Sequence, residues 1–379
     1  MELQDYRKKI DEIDAQLTAL FTERMQTAAQ IAAYKKEHSL SVLDAGRERQ
    51  KLSEIAKLAG EEFEDAAMSL YSLIFELSRG YQSRLLGTNA ELPKKIEAAI
   101  QNTPQLFPPK AIVACQGVEG AYSQQACEKL FRTPNVFYFS TFDAVFSAIE
   151  QGFCQYGVIP LENSTAGSVN KVYDLMTKHS FSIVRSVRLK IDHALLALPG
   201  AKLGEIKEIY SHEQAISQCS QFLQSLGDVK IIRCENTAAA AKFVAESGRR
   251  DIAALAARSC VGLYGLECLQ SSVQDQGNNY TRFICISKNI EIYPGANRTS
   301  LMARLPHKPG SLYNMISRFA SLDINLTKLE SRPVPGSDFE FMFYFDVDAS
   351  VYSPELAELI AQLENEIPEL VYLGSYNEF

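Results

Sequence analysis

Arg24 and Lys35 stand in a series that is otherwise apolar: Leu17, Leu20, Arg24, Ala28, Ile31, Lys35. Eleven residues make about three helical turns, so the two cations share one helix face to within about 20°. Arg7 sits three residues before Ile10 on the same broad face. One Arg at the edge of such a stripe snorkels to water or pairs with an internal acid. Three cations joined by Asp44, Arg47, Glu48, Ser78 and Gln82 are better read as a receptor for an anion, because burying an unpaired cation is costly. Arginines of this kind clamp carboxylates through two parallel hydrogen bonds, and a desolvated lysine stabilises negative charge.

A second set of groups is neutral. GVIPLENSTAGSV (157–169) places Glu162, Asn163, Ser164 and Thr165 just past an apolar run, SHEQAISQC (211–219) carries Ser211, His212, Gln214 and Gln218, and NYTRF holds Asn279, Thr281, Arg282 and Phe283. Singly, an Asn-Ser-Thr after a strand is a turn or helix cap. A third set lies in LPHKPGSLYNM, where Gly310, Ser311 and Leu312 open a helix whose free N–H groups favour a carboxylate, and in TKLESRP with Glu330, Ser331 and Arg332.

These residues need elements to carry them. Leu3, Tyr6, Ile10, Ile13, Leu17, Leu20, Ala28, Ile31 and Tyr34 keep helical spacing, which predicts one helix over 3–37, about 50 Å long. Such a rod cannot bury its stripe within 87 residues and calls for a second copy. Helices over 45–58 and 63–86 follow, the first capped by Asp44. Residues 88–109 hold Pro93, Pro104, Pro108 and Pro109 and read as a linker with at most one helical turn. From 110 to 287 the runs AIVAC, YGVIP, HALLAL, EIYS and DIAAL alternate with helical stretches such as EQAISQCSQFLQSL, the pattern of an α/β domain with a mainly parallel sheet. The string TSLMARL, helix 310–322, INLTKLESR, FEFMFYFDVD, helix 354–365 and LVYLGS is the ferredoxin-like βαββαβ order. The domains expected are 1–88, a linker over 89–109, 110–288, and 298–379.

A net charge of −8 argues against nucleic acid or anionic membrane as a general partner. No apolar run nears the ~18 residues of a membrane span, and MELQDYRKKIDEID lacks the apolar core of a signal peptide. The eight cysteines form no CxxC pair and no metal spacing, as in a reducing compartment. A cytoplasmic chain without metal or cofactor is expected.

Residues 1–87 resemble the all-helical chorismate mutase domain through YRKKIDEIDAQLTALFTERM, AAYKK, DAGRERQ and ELSRGYQ. The resemblance implies a dimer in which Arg24 and Arg47 hold the substrate's two carboxylates together with Arg7 of the other copy. It gives Lys35 and Gln82 the ether oxygen and Glu48 the ring hydroxyl, with Asp44 and Ser78 in support. A Claisen rearrangement fits these types, since it needs a folded substrate and charge stabilised on the breaking C–O oxygen, with no proton transfer. Residues 110–287 resemble prephenate dehydratase through QGVEGAYSQQA, ENST, SHxQA and N-x-TRF. This implies a two-lobed, binding-protein-like fold, Thr281 donating to the leaving hydroxyl, and substrate contacts from Glu162, Asn163, Ser164, Thr165, Ser211, Gln218, Asn279, Arg282 and Phe283. A carboxylic acid at Glu162 would need a raised pKa to act as a general acid. The last domain resembles the ACT domain of the same enzyme family, with GSLY and the full ESRP. It implies phenylalanine as an allosteric inhibitor at Gly310, Ser311, Leu312, Glu330, Ser331 and Arg332, in a homodimer or tetramer acting on chorismate and prephenate.

Two rivals share most of these features. One is a dehydratase whose helical domain serves only dimerisation; the other is a non-catalytic amino-acid sensor. Intact cations in the first domain and the ENST and TRF hydroxyls in the second weigh against both.

Overall fold

The computed structural model describes residues 2–38, 40–86, 90–334, 336, 340–367 and 369–379. The chain divides into two compact units, residues 1–93 with 357–368 and residues 94–356 with 369–379.

In the first unit α1 (Leu3–Glu37), α2 (Ala45–Ala59) and α3 (Glu64–Leu86) match the helical periodicity to within a residue. The Asp44 carboxylate accepts from the Arg47 N–H at 2.9 Å and closes the first turn of α2. Only Ala28 and Ala32 of α1 are buried, while Leu3, Tyr6, Ile10, Ile13, Leu17 and Leu20 are 46–66% exposed. The stripe therefore has no cover from its own copy along the first half of the helix.

The expected linker is largely helix: α4 (Glu91–Asn102) runs for three turns, with Ile96 and Ala99 buried. Pro93 is tolerated because it falls in the first turn, where N–H groups have no partner within the helix. The Glu364 carboxylate accepts from the Leu92 N–H at 2.9 Å and caps that end from far along the chain. The expected linker start at 88–89 lies outside the described residues, as does Phe339 of the third strand of the last domain.

The second unit begins with β1 (Ile112–Gln116), β2 (Asn135–Phe139), β3 (Tyr156–Asn163), β4 (Gly167–Ser168) and β5 (Ser182–Lys190). Then come β6 (His193–Ala197), β7 (Glu208–Ser211), β8 (Lys230–Arg233), β9 (Ile252–Ala257), β10 (Glu267–Gln270) and β11 (Tyr280–Ser287). They build two lobes. One sheet runs β5-β11-β3-β1-β2 and the other β10-β6-β9-β7-β8. Both are mixed, a correction to the mainly parallel expectation: β11 is antiparallel to both neighbours, and β6 to β9 and β10. The cause is the path of the chain, which crosses between lobes after β5 and returns before β11, so the crossing strands enter against the parallel set. EQAISQCSQFLQSL forms two short helices, Glu213–Gln218 and Ser220–Ser225, broken at Cys219.

Strands β12 (Arg298–Leu305), β13 (Asn325–Pro333), β14 (Phe341–Asp348) and β15 (Leu370–Glu378) pair in the order β13-β14-β12-β15, all antiparallel. Helices Ser311–Ser321 and Pro354–Glu366 complete the βαββαβ string. The end of β15 pairs with β5 through Asn377 opposite Arg185 and Glu378 opposite Ser186. Among the described residues the C-terminal strands and the first lobe thus form one ten-stranded sheet.

That junction is tight at Gly374, which has φ +142° and whose added Cβ would stand 2.2 Å from the Ile183 carbonyl oxygen. Backbone cannot yield as a flexible side chain does. Gly374→Ala is therefore expected to cost roughly 2–3 kcal/mol. Chemical denaturation followed by circular dichroism checks it, and an unchanged midpoint would contradict the packing described.

Candidate functional site

Three helices of the first unit enclose a cavity of about 660 Å³. Arg24, Ala28, Ile31 and Lys35 line it from one face of α1, and Phe75, Ser78, Arg79 and Gln82 from one face of α3. The capped first turn of α2 adds Asp44, Arg47 and Glu48. The Arg24 guanidinium lies over the Phe75 ring at 5.4 Å, and its Nη1 is buried without a hydrogen-bond partner. Lys35 Nζ donates to the Val42 carbonyl at 2.5 Å, which leaves two protons for a ligand. Among the described residues no carboxylate lies within ion-pair distance of Arg24, Lys35 or Arg47.

Glu48 is not free in the same way, since Arg79 Nη1 donates to it at 2.5 Å. Gln82 and Ser78 are buried 3.4 Å apart, with Gln82 Oε1 unpartnered. Turning the amide by 180° lets the Ser78 hydroxyl donate to Oε1 and presents both Nε2 protons to the cavity. Arg7 is the expected residue the cavity lacks. It is exposed and lies seventeen residues before Arg24, about 25 Å along the helix. The sequence reading missed Arg79 and Phe75. Both fall on the helical face of Gln82 and Ser78, at i−3 from each, and that spacing is the signal that would have found them.

In the second unit a cleft between the lobes holds a cavity of about 340 Å³. Thr281 and Asn163 face each other in register across β11 and β3, with Asn163 Nδ2 donating to Thr281 Oγ at 2.9 Å and to Asn279 Oδ1 at 2.7 Å. Asn163 Oδ1 accepts from the Thr165 hydroxyl at 2.7 Å and from the Ala166 N–H at 2.9 Å, which folds the loop after β3. Gln218 joins the ring, donating to Thr165 Oγ at 3.1 Å and accepting from Asn279 Nδ2 at 2.9 Å. His193 Nε2 lies 3.2 Å from the same Gln218 oxygen, and since that oxygen only accepts, Nε2 carries the proton. Thr281 Oγ is an acceptor in this network, so its own proton points onward. Phe283, Pro160, Ser123 and Thr237 complete the wall used below.

Four expected residues lie elsewhere. Arg282 follows Thr281 on a strand and so turns to the opposite face of the sheet. There it meets Asp346, Tyr376, Glu378 and Glu162 and is buried. Glu162 shares that back face, bound by Lys328 at 3.0 Å, and has no access to the cavity as an acid. Ser211 is fully buried and donates to the Leu255 carbonyl at 2.8 Å. Ser164 is spent on the Asn278 carbonyl and the Tyr280 N–H, tying its loop to β11. His212 caps a helix, accepting from the Gln214 N–H at 3.3 Å, and lines the cavity wall. No lysine or arginine lines this cavity among the described residues. The first turns of helices Tyr122–Leu130 and Thr237–Glu246 reach it instead through Ser123 and Thr237.

In the C-terminal strands Gly310, at φ +84°, opens the helix that carries Ser311 and Leu312, and the buried Ser311 hydroxyl lacks a partner among the described residues. Glu330 and Arg332 are engaged within the chain. Both stand on one face of β13 with Lys328, where Ser168 donates to Glu330 and Arg332 Nε donates to Asp174 at 2.7 Å. Ser331 occupies the other face. The described residues hold no cluster of metal-ligating side chains, no helix long and apolar enough to cross a membrane, and eight cysteines that are all free.

Residues 6–83 match the family of type II chorismate mutases and residues 113–291 the prephenate dehydratases. The bifunctional chorismate mutase/prephenate dehydratase of Escherichia coli (strain K12) is 32% identical, over 98% of this chain and 95% of its own. A chloroplastic arogenate dehydratase/prephenate dehydratase of Arabidopsis thaliana is 37% identical over 70% of this chain and 72% of its own. The crystal structure of a prephenate dehydratase from Arthrobacter aurescens in complex with L-Phe superposes with TM-score 0.65 at 26% identity, covering 70% of this chain and 90% of that one.

Burial holds the imidazole of His193 below its ordinary pKa, against the hydrogen bond to Gln218, so the folded protein keeps it neutral. As pH falls below about 6.5 the unfolded chain takes up this proton first, so the stabilisation present above that value is lost on acidification. Urea unfolding at pH 7.5 and 5.5 should show the loss, with a slope for this group of at most about 1.4 kcal/mol per pH unit. His193→Gln should reduce the pH dependence, and an identical dependence in that variant would contradict it.

Proposed function

The chain belongs to the bifunctional chorismate mutase/prephenate dehydratase family, and from that premise we propose how its two cavities divide the work. It rearranges chorismate to prephenate in the first and converts prephenate to phenylpyruvate in the second. Arg24 and Arg47 take the two carboxylates of chorismate, and the partner subunit's Arg7 closes the site, which is incomplete within one copy. Clamped at both ends, the side chain and ring are held in a near-attack shape. Lys35 and Gln82 donate to the ether oxygen as its bond to carbon breaks, and the fixed cation needs no reorganisation at that moment. Glu48, held by Arg79, accepts from the ring hydroxyl, while Asp44 and Ser78 orient their neighbours. The observation that carries this reading is that three cations share one cavity with no protein carboxylate on any of them.

In the second cavity the C–CO₂ bond releases its electron pair into the ring as the C–OH bond breaks. Carbon dioxide and water leave, the hydroxyl having taken a proton. Thr281 donates its free hydroxyl proton as a hydrogen bond to the leaving oxygen, its Oγ held by Asn163. Asn279, Thr165 and Gln218 keep that amide fixed, and Phe283 lies against the ring. The carboxylates of prephenate are met by helix N-termini at Ser123 and Thr237 rather than by Arg282. Dehydration needs little beyond this, because aromatisation supplies the driving force.

The domain division we assign is 1–88 for the mutase, 89–109 for the connection, 110–288 for the dehydratase and 298–379 for an ACT module. Phenylalanine binds that module at the helix opening of Gly310, Ser311 and Leu312 and inhibits dehydration, with Glu330, Ser331 and Arg332 on the strand beside the dehydratase. The assembly is a homodimer or tetramer, a reading supported by the exposed apolar stripe of α1. Free cysteines fit a cytoplasmic location.

Phenylpyruvate formation assayed separately from chorismate and from prephenate tests the assignment. Arg24→Ala should lower kcat/KM for chorismate by about 10²–10³ and leave prephenate turnover as in the parent. Thr281→Ala should lower prephenate turnover by about 10² and spare the first reaction. Crossed or absent effects would contradict the division. Phenylalanine added to the parent should depress the second reaction, and no response up to millimolar concentration would remove the regulatory part.

A further inference from the structure

We infer that Arg282 is a positioning residue for dehydration and that the C-terminal strands hold Thr281 in place through it. The inference rests on the role given to Thr281 above. Thr281 and Arg282 are consecutive, so one faces the cavity and the other the back of the same sheet. Their cross-strand partners repeat the division: Thr281 is opposite Asn163 and Arg282 opposite Glu162. The front of this strand pair makes the hydroxyl–amide contact, and the back makes a cluster of ions.

Arg282 is 3% exposed and is gripped mainly by residues far along the chain. Its Nη2 donates to the Tyr376 hydroxyl at 2.7 Å and its Nη1 to Asp346, while its Nε lies 2.9 Å from Glu378 as an ion pair without hydrogen-bond geometry. Asp346, on β14, is 1% exposed and also accepts from Ser300 and from the Tyr344 hydroxyl. Lys328 on Glu162 and Arg188 and Arg298 on Glu378 balance the remaining acids. A planar guanidinium with donors committed in several directions cannot turn without leaving a buried carboxylate unpaired.

The backbone ladders on the two sides of Thr281 differ: the one with β5 runs in register from Tyr280 to Cys285, and the one with β3 does not. β11 starts one residue earlier, at Tyr280, and its register with β3 shifts between Arg282 and Phe283. On its β3 side, where Asn163 lies, Thr281 therefore sits between a strand end and a bulge, and that ladder is the less regular of its two. The ionic clamp on the next residue supplements the β5 ladder where the β3 ladder is irregular. A displacement of β14 and β15 relative to β11 would reach Thr281 through a single peptide unit, with no intervening hinge.

The test uses the full-length protein and both reactions. Asp346→Asn keeps the size of the side chain and its acceptor for Ser300 and Tyr344 but removes the charge. The expected result is a fall of about tenfold or more in kcat for prephenate, KM within about twofold, and chorismate rearrangement as in the parent. Tyr376→Phe deletes one hydroxyl and is the milder variant should the first fold poorly; kcat should fall several-fold. A purely structural role would lower the amount of folded protein, and both activities with it, without this split. Parent kcat in either folded variant overturns the inference. Thr281→Ala is run beside them: if it dehydrates prephenate at the parent rate, the reading of the cavity fails, whatever Asp346→Asn does.

Discussion

A cation taken out of water must meet an anion, and where that anion comes from separates the working parts of this protein. The half-buried Arg24 and Lys35 and the exposed Arg47 find none among the described residues of their own chain, and the proposal that a ligand brings it rests on this. Arg282 finds Asp346, Glu162 and Glu378, and is thereby part of the fabric. The same residue type serves opposite purposes, half-buried at Arg24 and 3% exposed at Arg282. What distinguishes them is whether the neighbouring elements carry carboxylates on the facing side.

Strand alternation then organises the second unit. A single strand pair, β3 with β11, gives Asn163 and Thr281 to the cleft and Glu162 and Arg282 to the C-terminal strands. Among the described residues no lysine or arginine lines the cleft, and for that reason we assign its substrate anions to helix N-termini and neutral donors. Glu330 and Arg332 repeat the arrangement from the other side, since β13 turns them to Ser168 and Asp174. The sheet is shared across this boundary, with β15 running on into β5. A binding event on the C-terminal strands therefore has a short route to the hydroxyl of Thr281, to which we assign the leaving group.

Local patterns reported themselves well in the sequence. The stripe of α1 with its two misplaced cations, the cap at Asp44 and the βαββαβ string all depend on spacing within one element or between neighbours. What escaped depends on partners distant in the chain. Arg282 reads as a ligand of the substrate through the N-x-TRF resemblance, and nothing nearby announces Asp346. Helix α4 hid among prolines because its cap is Glu364. Strand β5 carries Arg185 and Arg188, which break its apolar run. Arg185 is accommodated by stacking at 3.8 Å over Phe107, a residue from the stretch before β1. The mixed direction of both sheets likewise follows from where the chain crosses between lobes, which no window of residues encodes.

Binding of a dianion by the unpaired cations is the claim on which most else rests. A calorimetric titration of the full-length protein with a rigid dicarboxylate shaped like the folded form of chorismate measures it directly. The account predicts one ligand per chain, an affinity that Arg24→Ala weakens by about 10²-fold or more, and no change in Thr281→Ala. Equal affinity in the Arg24→Ala variant, or no binding by the parent, would contradict it.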